Sequence, residues 1–541
     1  MYIGPRNQPD VLCKDELVAH MPRPTQAMRL RRSIRLEADS GEQSAQLNNH
    51  ACFWRSALQN LLLSRGLLIL LQFISNVLIP DLPTDAFKFT GIVRGELNSV
   101  DRLIERFLEG LVRWDSVHFL NIALNDYIFE NTLAFFPLFP IALRRLGAAL
   151  LIILPIHKST ALIVTGVCIN NFCFVATGLV LFNFVKTLHR SERKAFWATV
   201  LFAWNPASIF FSSLYTESLY AFITFCALRL LYEQRIYILF RLSGAAILFL
   251  ISLGLRSNGW ANFGYIAYFL FSNAFECIIV PNGKTRLITF IRFLMKGVIM
   301  LLAFTALLIT VFNMVETVGD TVSNRFCFSV NKFPAGAIEF ANYNDYVLQG
   351  RIDKLPWCSG SHNEAKKIMT VAGFSVSVPM AAFPRYYAHI QKKYWNVELF
   401  GYWRFKKIPC FLMASPVMII VSLVVIHGFI QRKRNIVALM VSSDGFIPMV
   451  FHNVAMITIG LTVFNIEILT RMLFSASPLI YVGLSEIVSG KLSIVNGNGY
   501  LSELRMLTWK EGGLLTTLIY LYFVSFCVGG TILHVNWGPF T

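Results

Sequence analysis

The chain has 541 residues, of which 55% are hydrophobic and only 15% charged, where a soluble globular protein carries about 25% charged residues. That is too little charge to cover the three or four soluble domains this length would suggest, so the chain reads as an integral membrane protein; disorder, coiled coil, collagen and small secreted scaffolds are excluded. Its 48 Lys and Arg against 31 Asp and Glu give +17, which in a membrane protein reads as positive loops on the cytoplasmic side rather than a nucleic-acid surface.

Residues 1–57 are polar, rich in Arg (Arg29, Arg31, Arg32, Arg35) and without a helix-length apolar stripe. They are expected to form a cytosolic tail, either disordered or serving as a membrane-surface or sorting segment. The first long apolar run starts near Leu58, too late for a cleaved signal peptide, which fits a retained signal anchor. From there a transmembrane domain is expected over 58–541. A crossing needs about 20 largely apolar residues, and the candidates are 58–80, 160–185, 196–213, 216–232, 238–255, 260–280, 297–315, 408–430, 446–464, 472–488 and 513–533, about eleven in all. The apolar piece 146–156 is short, ends at Pro155 and reads as re-entrant or tilted. Two segments between spans are long, roughly 81–159 and 316–407.

With the N-terminus inside, the inner loops hold seventeen Lys and Arg and the short outer loops only two, Arg256 and Arg471. The positive-inside bias therefore puts both long segments on the outer, luminal side. Charge within the spans is sparse: Arg65, Glu276 and Glu486 are the clearest cases, each close enough to a span end to snorkel. Such sparsity argues against an ion-coupled transporter or proton pump.

The outer segments carry the unusual polar residues. Val100, Leu103, Ile104, Phe107, Leu108 and Leu111 recur at helical spacing with charges between them, an amphipathic helix that would lie in the plane of the outer surface. It leads into Arg113, Trp114, Asp115, Ser116, Val117 and His118, with Asp115 and His118 three apart on one helix face. Asp115 reads either as a general base for an acceptor hydroxyl or as a helix cap or salt-bridge partner of Arg113. His118 reads as a structural histidine or a substrate contact. Glu217 in LYTESLY, Arg256 in LRSNGW and Arg471 in ILTRML stand at outer tips, where a charge serves solubility or, for the arginines, holds a lipid phosphate in a planar fork.

Cys327 and Cys358 are the two cysteines of the second long segment, a disulfide in an oxidising compartment or else two free thiols. Tyr386, Tyr387, Tyr394 and Trp395 form an aromatic group that suits an interface belt or sugar stacking. The prolines of AFFPLFP (134–140) read as a broken corner. No DxD, GxGxxG, Walker A, HExxH or zinc-type Cys/His spacing is present, so hydride transfer, phosphate hydrolysis and zinc chemistry have no visible support.

The run RWDSVHFLNIALNDYIFENTLAFFPLFP (113–140) resembles the signature of the PIG-V family, which adds the second mannose of the glycosylphosphatidylinositol (GPI) anchor. Matching stretches follow in order: NPASIFFSSLYTESLYAFITF (205–225), LGLRSNGW (253–260), PWC (356–358), IQKKYWNVELFGYWRFKKIPCFLMASP (390–416) and ILTRMLFSASP (468–478). The resemblance implies an all-α polytopic enzyme of the GT-C class in the endoplasmic reticulum membrane. Such an enzyme takes mannose from dolichol phosphate mannose and passes it to the singly mannosylated GPI lipid precursor in an α-1,6 bond, with inversion and without a metal or other cofactor. It further implies Asp115 as the base, with Arg113, Trp114, His118, Glu217, Arg256 and Arg471 at the substrates. Expected partners are the donor, the GPI precursor, membrane lipids and a possible small stabilising membrane subunit, with no nucleic acid. One departure concerns Asn465, which stands where relatives often carry a His before the LTR motif; no role is assigned to it. Alternatives are another dolichol-dependent mannosyltransferase, a lipid scramblase or transporter, and a noncatalytic scaffold.

Overall fold

The apolar runs fold as helices. The computed structural model describes residues 52–92, 97–279, 286–329, 332–358, 366–371, 374–379, 382–432, 445–491 and 509–540. Most of the expected tail and the side chain of Glu276 lie outside the described residues, and Ser56–Thr541 form one unit. In chain order the first half holds α1 (Cys52–Leu78), α2 (Ser99–Leu108), α3 (Asp115–Asn125), α4 (Leu138–Ile153), α5 (Lys158–His189), α6 (Glu192–Ala203), α7 (Glu217–Leu231), α8 (Ile238–Leu255) and α9 (Phe263–Ile279). The second half holds α10 (Arg286–Phe328), α11 (Ala337–Asn344), strands β1 (Lys366–Val371) and β2 (Phe374–Pro379), α12 (Arg385–Trp395), α13 (Ile408–Arg432), α14 (Phe446–Thr462), α15 (Leu469–Ala476), α16 (Leu479–Lys491) and α17 (Trp509–Val535). Among the described residues the fold is helical apart from the antiparallel β1–β2 hairpin inside the second long segment.

Among the described residues six helices, α1, α5, α8, α10, α13 and α17, are long and apolar enough to cross a membrane, and α15 with α16, bent by 73° at their junction, would make a seventh. Length and composition alone do not confirm the expected count of about eleven. The candidate 216–232 falls on α7, whose 15 residues rise about 22 Å against a hydrocarbon core of about 30 Å. Candidates 260–280 and 446–464 fall on helices of 17 residues. The candidate 196–213 is not one helix: Pro206 lacks an N–H and disfavours helix at Asn205, so α6 stops at Ala203 and a 3-10 turn (Ser208–Phe211) follows. Pro478 likewise separates α15 from α16, and 146–156 is no separate piece but the end of α4 and its exit.

Arg65 does not snorkel. It is 4% exposed, and its guanidinium donates to the carbonyls of Ala203 and Ser208 and to the hydroxyls of Ser208 and Ser212, over the face of Phe174. The break at Pro206 frees backbone carbonyls where lipid offers no donors, and this arginine supplies them. Glu486 is held by Arg432 and His189, each at 3.3 Å.

The amphipathic pattern after the first span is α2, started by an Asn98 cap that accepts from Asp101 N–H. Val100, Leu103 and Phe107 leave its apolar face exposed, whereas Leu108 and Leu111 turn into the protein. Glu130, fully buried in a 3-10 turn (Glu130–Ala134), ties the two long segments together. It accepts from Trp357 Nε1 at 2.8 Å, Tyr394 Oη at 2.8 Å and Lys393 Nζ at 2.6 Å. Beside it Cys327, at the end of α10, and Cys358 form a disulfide.

Candidate active site

Three breaks in regular structure aim four charged side chains at one place. The 3-10 turn Glu109–Leu111 passes into α3 through Trp114, whose φ of 53° is unusual for a residue with a side chain and costs about 1–3 kcal/mol. Packing holds it there: the Trp114 ring lies 5.6 Å from that of Trp537. The kink makes Asp115 the first residue of α3, where the helix dipole favours a carboxylate, and its N–H donates to Tyr215 Oη at 3.3 Å.

Glu217 is the first residue of α7, and Arg256 closes α8 in extended conformation. Gly259 permits that closure, because a Cβ there would lie 2.5 Å from the Leu253 Cα as the turn Ser257–Asn262 folds back on α8. Arg471 sits in α15, the first arm of the bent pair.

Arg471 Nη1 lies 2.8 Å from Asp115 Oδ2 and its Nε lies 3.6 Å from Glu217 Oε1. Arg256 Nη1 is paired with the same Glu217 oxygen and bonds Thr216 Oγ1 at 3.3 Å. The order is carboxylate, guanidinium, carboxylate, guanidinium. Glu217 is wholly buried, and the four charges sum to zero. Burial alone would raise the Asp115 carboxyl, but the Arg471 guanidinium beside it outweighs this and holds it below the usual carboxylate range.

These residues line an open cavity of about 870 Å³, with Tyr215, Phe135, Tyr387, Trp395 and Asn465 among its other walls. Half of the aromatic group noted in the sequence is here: Tyr387 and Trp395 face the cavity, while Tyr394 is spent on Glu130 and Tyr386 on the packing between the long segments. Asn465 Nδ2 donates to the Trp395 carbonyl at 3.4 Å, pinning the end of α12. Tyr215 and Glu130 are functional or supporting positions that the sequence reading missed; Glu130 was signalled only as a lone acid within IFENTLAFF.

Three expected substrate residues are not brought to the cavity. Arg113 points the other way, to Asn76 Oδ1 at 2.8 Å, Asp81 at 3.3 Å, Glu109 at 3.6 Å and the Val535 carbonyl at 3.0 Å. Asp115 is therefore not its salt-bridge partner. Trp114 turns into the aromatic cluster with Trp537, and His118 is sandwiched between Phe87 at 4.5 Å and Phe135 at 4.4 Å. Burial pushes the His118 imidazole down to about 4 against the opposing pull of Asp115, so it is neutral at physiological pH. Among the described residues no group of three or more His, Cys, Asp or Glu is placed to hold a metal ion.

The family model described as mannosyltransferase (PIG-V) matches residues 55–541. The chain is 28% identical to the GPI alpha-1,6-mannosyltransferase 2 of Rattus norvegicus, over 88% of this chain and 96% of that one. It is 29% identical to the GPI mannosyltransferase pigv-1 of Caenorhabditis elegans, over 89% of this chain and 80% of that one. Among solved structures, the apo oligosaccharyltransferase of Archaeoglobus fulgidus aligns with a TM-score of 0.37 and 13% identity, over 89% of this chain and 56% of that one.

Proposed function

Because the chain belongs to the PIG-V mannosyltransferase family, we propose that this glycosyltransferase adds the second, α-1,6-linked mannose to the singly mannosylated GPI precursor. The donor is dolichol phosphate mannose, the site faces the lumen of the endoplasmic reticulum, and Asp115 is the general base of an inverting displacement. The observation that carries this reading is the alternating network Asp115, Arg471, Glu217, Arg256 at one cavity. The luminal placement rests on the seventeen-to-two division of Lys and Arg between inner and short outer loops.

The donor is a phosphodiester with one negative charge and a β-linked sugar. Its phosphate competes with Asp115 for Arg471, so donor binding releases the base from its ion pair. The acceptor hydroxyl then attacks the anomeric carbon and its proton passes to Asp115. The bond from that carbon to the phosphate oxygen breaks, and the electron pair stays on the phosphate, which becomes a monoester dianion. A negative charge thus vanishes at Asp115 and appears on the phosphate within one network. Net charge at the site is unchanged, and Arg256 and Arg471 are preorganised to receive it where it develops. Glu217 holds both guanidiniums in place. One positioned base suffices, and the step calls for no metal.

The test uses microsomes from cells that lack the family enzyme and express this chain, supplied with radiolabelled dolichol phosphate mannose. Conversion of the singly mannosylated GPI lipid to a species with two mannoses is expected. Persistence of the former, or label appearing on another acceptor, would overturn the reading in favour of a different dolichol-dependent transferase.

A further inference from the structure

A second cavity, of about 1040 Å³, lies against the catalytic one. Ile122 and Asp126 of α3 and its C-cap, Pro137, Pro140, Ile141 and Arg144 at the start of α4, and Thr317 to Phe326 of α10 enclose it. Two features relate it to the active site. Asp115 and Phe119 line the first cavity, and Ile122 and Asp126 the second; at spacing i, i+4, i+7 and i+11 they form one stripe of α3. The short segment Phe135 to Pro137 is the divide, its first two residues lining the catalytic cavity and Pro137 the other, braced by Tyr127 Oη donating to the Phe135 carbonyl at 2.8 Å.

The walls are apolar and the rim is cationic. Ile122, Ile141, Val318, Val322 and Phe326 supply the walls, and the hydroxyls of Thr317 and Thr321 are returned to their own helix at 2.8 Å. Only 6% of the residues in the most apolar stretch of α10 are buried by protein, and at its luminal end α10 lines the crevice together with the start of α4. At the rim Arg325 pairs with Asp126 at 2.7 Å, and Arg144 donates to the carbonyls of Ile122 and Ala123, which close α3. Two guanidiniums against one carboxylate leave a single positive charge, which matches one phosphodiester.

The geometry points to this crevice as the seat of the phosphatidylinositol end of the acceptor, with its phosphate at Arg144 and Arg325 and its chains between α4 and α10. The inference rests on the proposed acceptor. From Asp115 to Asn125 the helix rises about 15 Å, a reach suited to the short glycan that separates the reacting mannose from the lipid phosphate. The donor phosphate is assigned to the other side of Asp115, at Arg256 and Arg471, so the two lipid substrates approach the base from different directions.

The full chain in phosphatidylcholine nanodiscs would be exposed to phosphatidylinositol carrying a photoreactive diazirine in one acyl chain, and labelled residues mapped by peptide mass spectrometry. Label should concentrate in Pro137 to Arg144 and Thr317 to Phe326. It should fall about tenfold when Arg144 and Arg325 are both changed to Ala, and also in Thr321→Trp, which fills the crevice and leaves the arginines alone. Equal labelling of these residues by a phosphatidylcholine probe, or label spread over the outer faces of the other spans, would overturn the inference. Labelling needs no turnover, so it separates this inference from the proposed activity: a wild type that converts no acceptor refutes the activity alone. In an active preparation Thr321→Trp should raise the KM for the lipid acceptor and leave kcat unchanged. A soluble acceptor glycan without lipid should be used as well as before, and equal effects on both acceptors would count against the crevice.

Discussion

The Asp115 carboxylate and the Arg471 guanidinium, which belong to elements far apart in the chain, meet at 2.8 Å in the wall of the cavity. The pair keeps a buried charge compensated, and in the proposed mechanism the donor phosphate claims the guanidinium, so that the two members serve the reaction by separating.

If Arg471 holds phosphate through its fork, a point charge should not replace it. Arg471→Lys should keep the fold and raise the donor KM, with kcat/KM down about 10- to 100-fold, one to two charge-assisted contacts' worth. Arg471→Ala should also lower stability, because Asp115 and Glu217 would face each other without it. Wild-type donor kinetics for Arg471→Lys, measured with labelled dolichol phosphate mannose, would remove the phosphate role.

Glu217 is wholly buried between two guanidiniums, so its charge is a condition of folding as well as of geometry. Glu217→Gln should destabilise the protein by about 3–5 kcal/mol, the cost of leaving buried charge uncompensated. Thermal unfolding in detergent reads this directly. A melting temperature equal to wild type would show that the two arginines do not depend on it.

His118 and Asp115 both lose stability as pH falls, but over different windows. His118 is held at about 4 in the folded protein against about 6.5 in an unfolded chain, so between those values the unfolded state binds the extra proton and stability rises with pH. The window contributes roughly 3 kcal/mol, and His118→Phe, which preserves the stack with Phe87 and Phe135, should flatten it. Asp115 is lowered by Arg471, so its pairing is in full force above the unfolded value near 3.9 and is lost only as pH falls through the lower folded value. The acid limb of kcat/KM should therefore show no inflection from this base between pH 5 and 8.

Glu130 fastens the segment bearing Phe135 to the helix bearing Trp395. Glu130→Gln should cost about 1–3 kcal/mol as the charge-assisted bond to Lys393 is lost. It should also raise the KM for substrates more than it lowers kcat, since the cavity walls move and the base does not. A purely kcat effect would place Glu130 closer to the chemistry than its distance network allows.

Charge position was readable from sequence and side-chain direction was not. The Lys and Arg census and the short motifs put Asp115, Glu217, Arg256 and Arg471 on one side, and the structure gathers those four. Helical spacing put Asp115 and His118 on one face, but the residues of α3 that meet the catalytic cavity are Asp115 and Phe119, and a step of three residues rather than four sends His118 into the aromatic stack. Arg113 went astray because its partners, Asn76, Asp81 and the Val535 carbonyl, come from the ends of two spans that no local pattern connects. The candidates 196–213 and 472–488 are broken at Pro206 and Pro478, where hydropathy is high on both sides of the break and only the proline marks it. Arg65 follows from the same break: its partners are carbonyls that exist as free acceptors only because α6 stops early.

The most direct test of the account is single-turnover mannosyl transfer by purified wild type and Asp115→Asn, with donor bound in advance and both proteins checked for thermal stability. The Asn form keeps the size and place of the side chain but takes no proton. The account predicts normal donor binding with transfer slowed about 10²- to 10⁴-fold. Transfer at the wild-type rate by a well-folded Asp115→Asn protein would contradict the assignment of this carboxylate as the base.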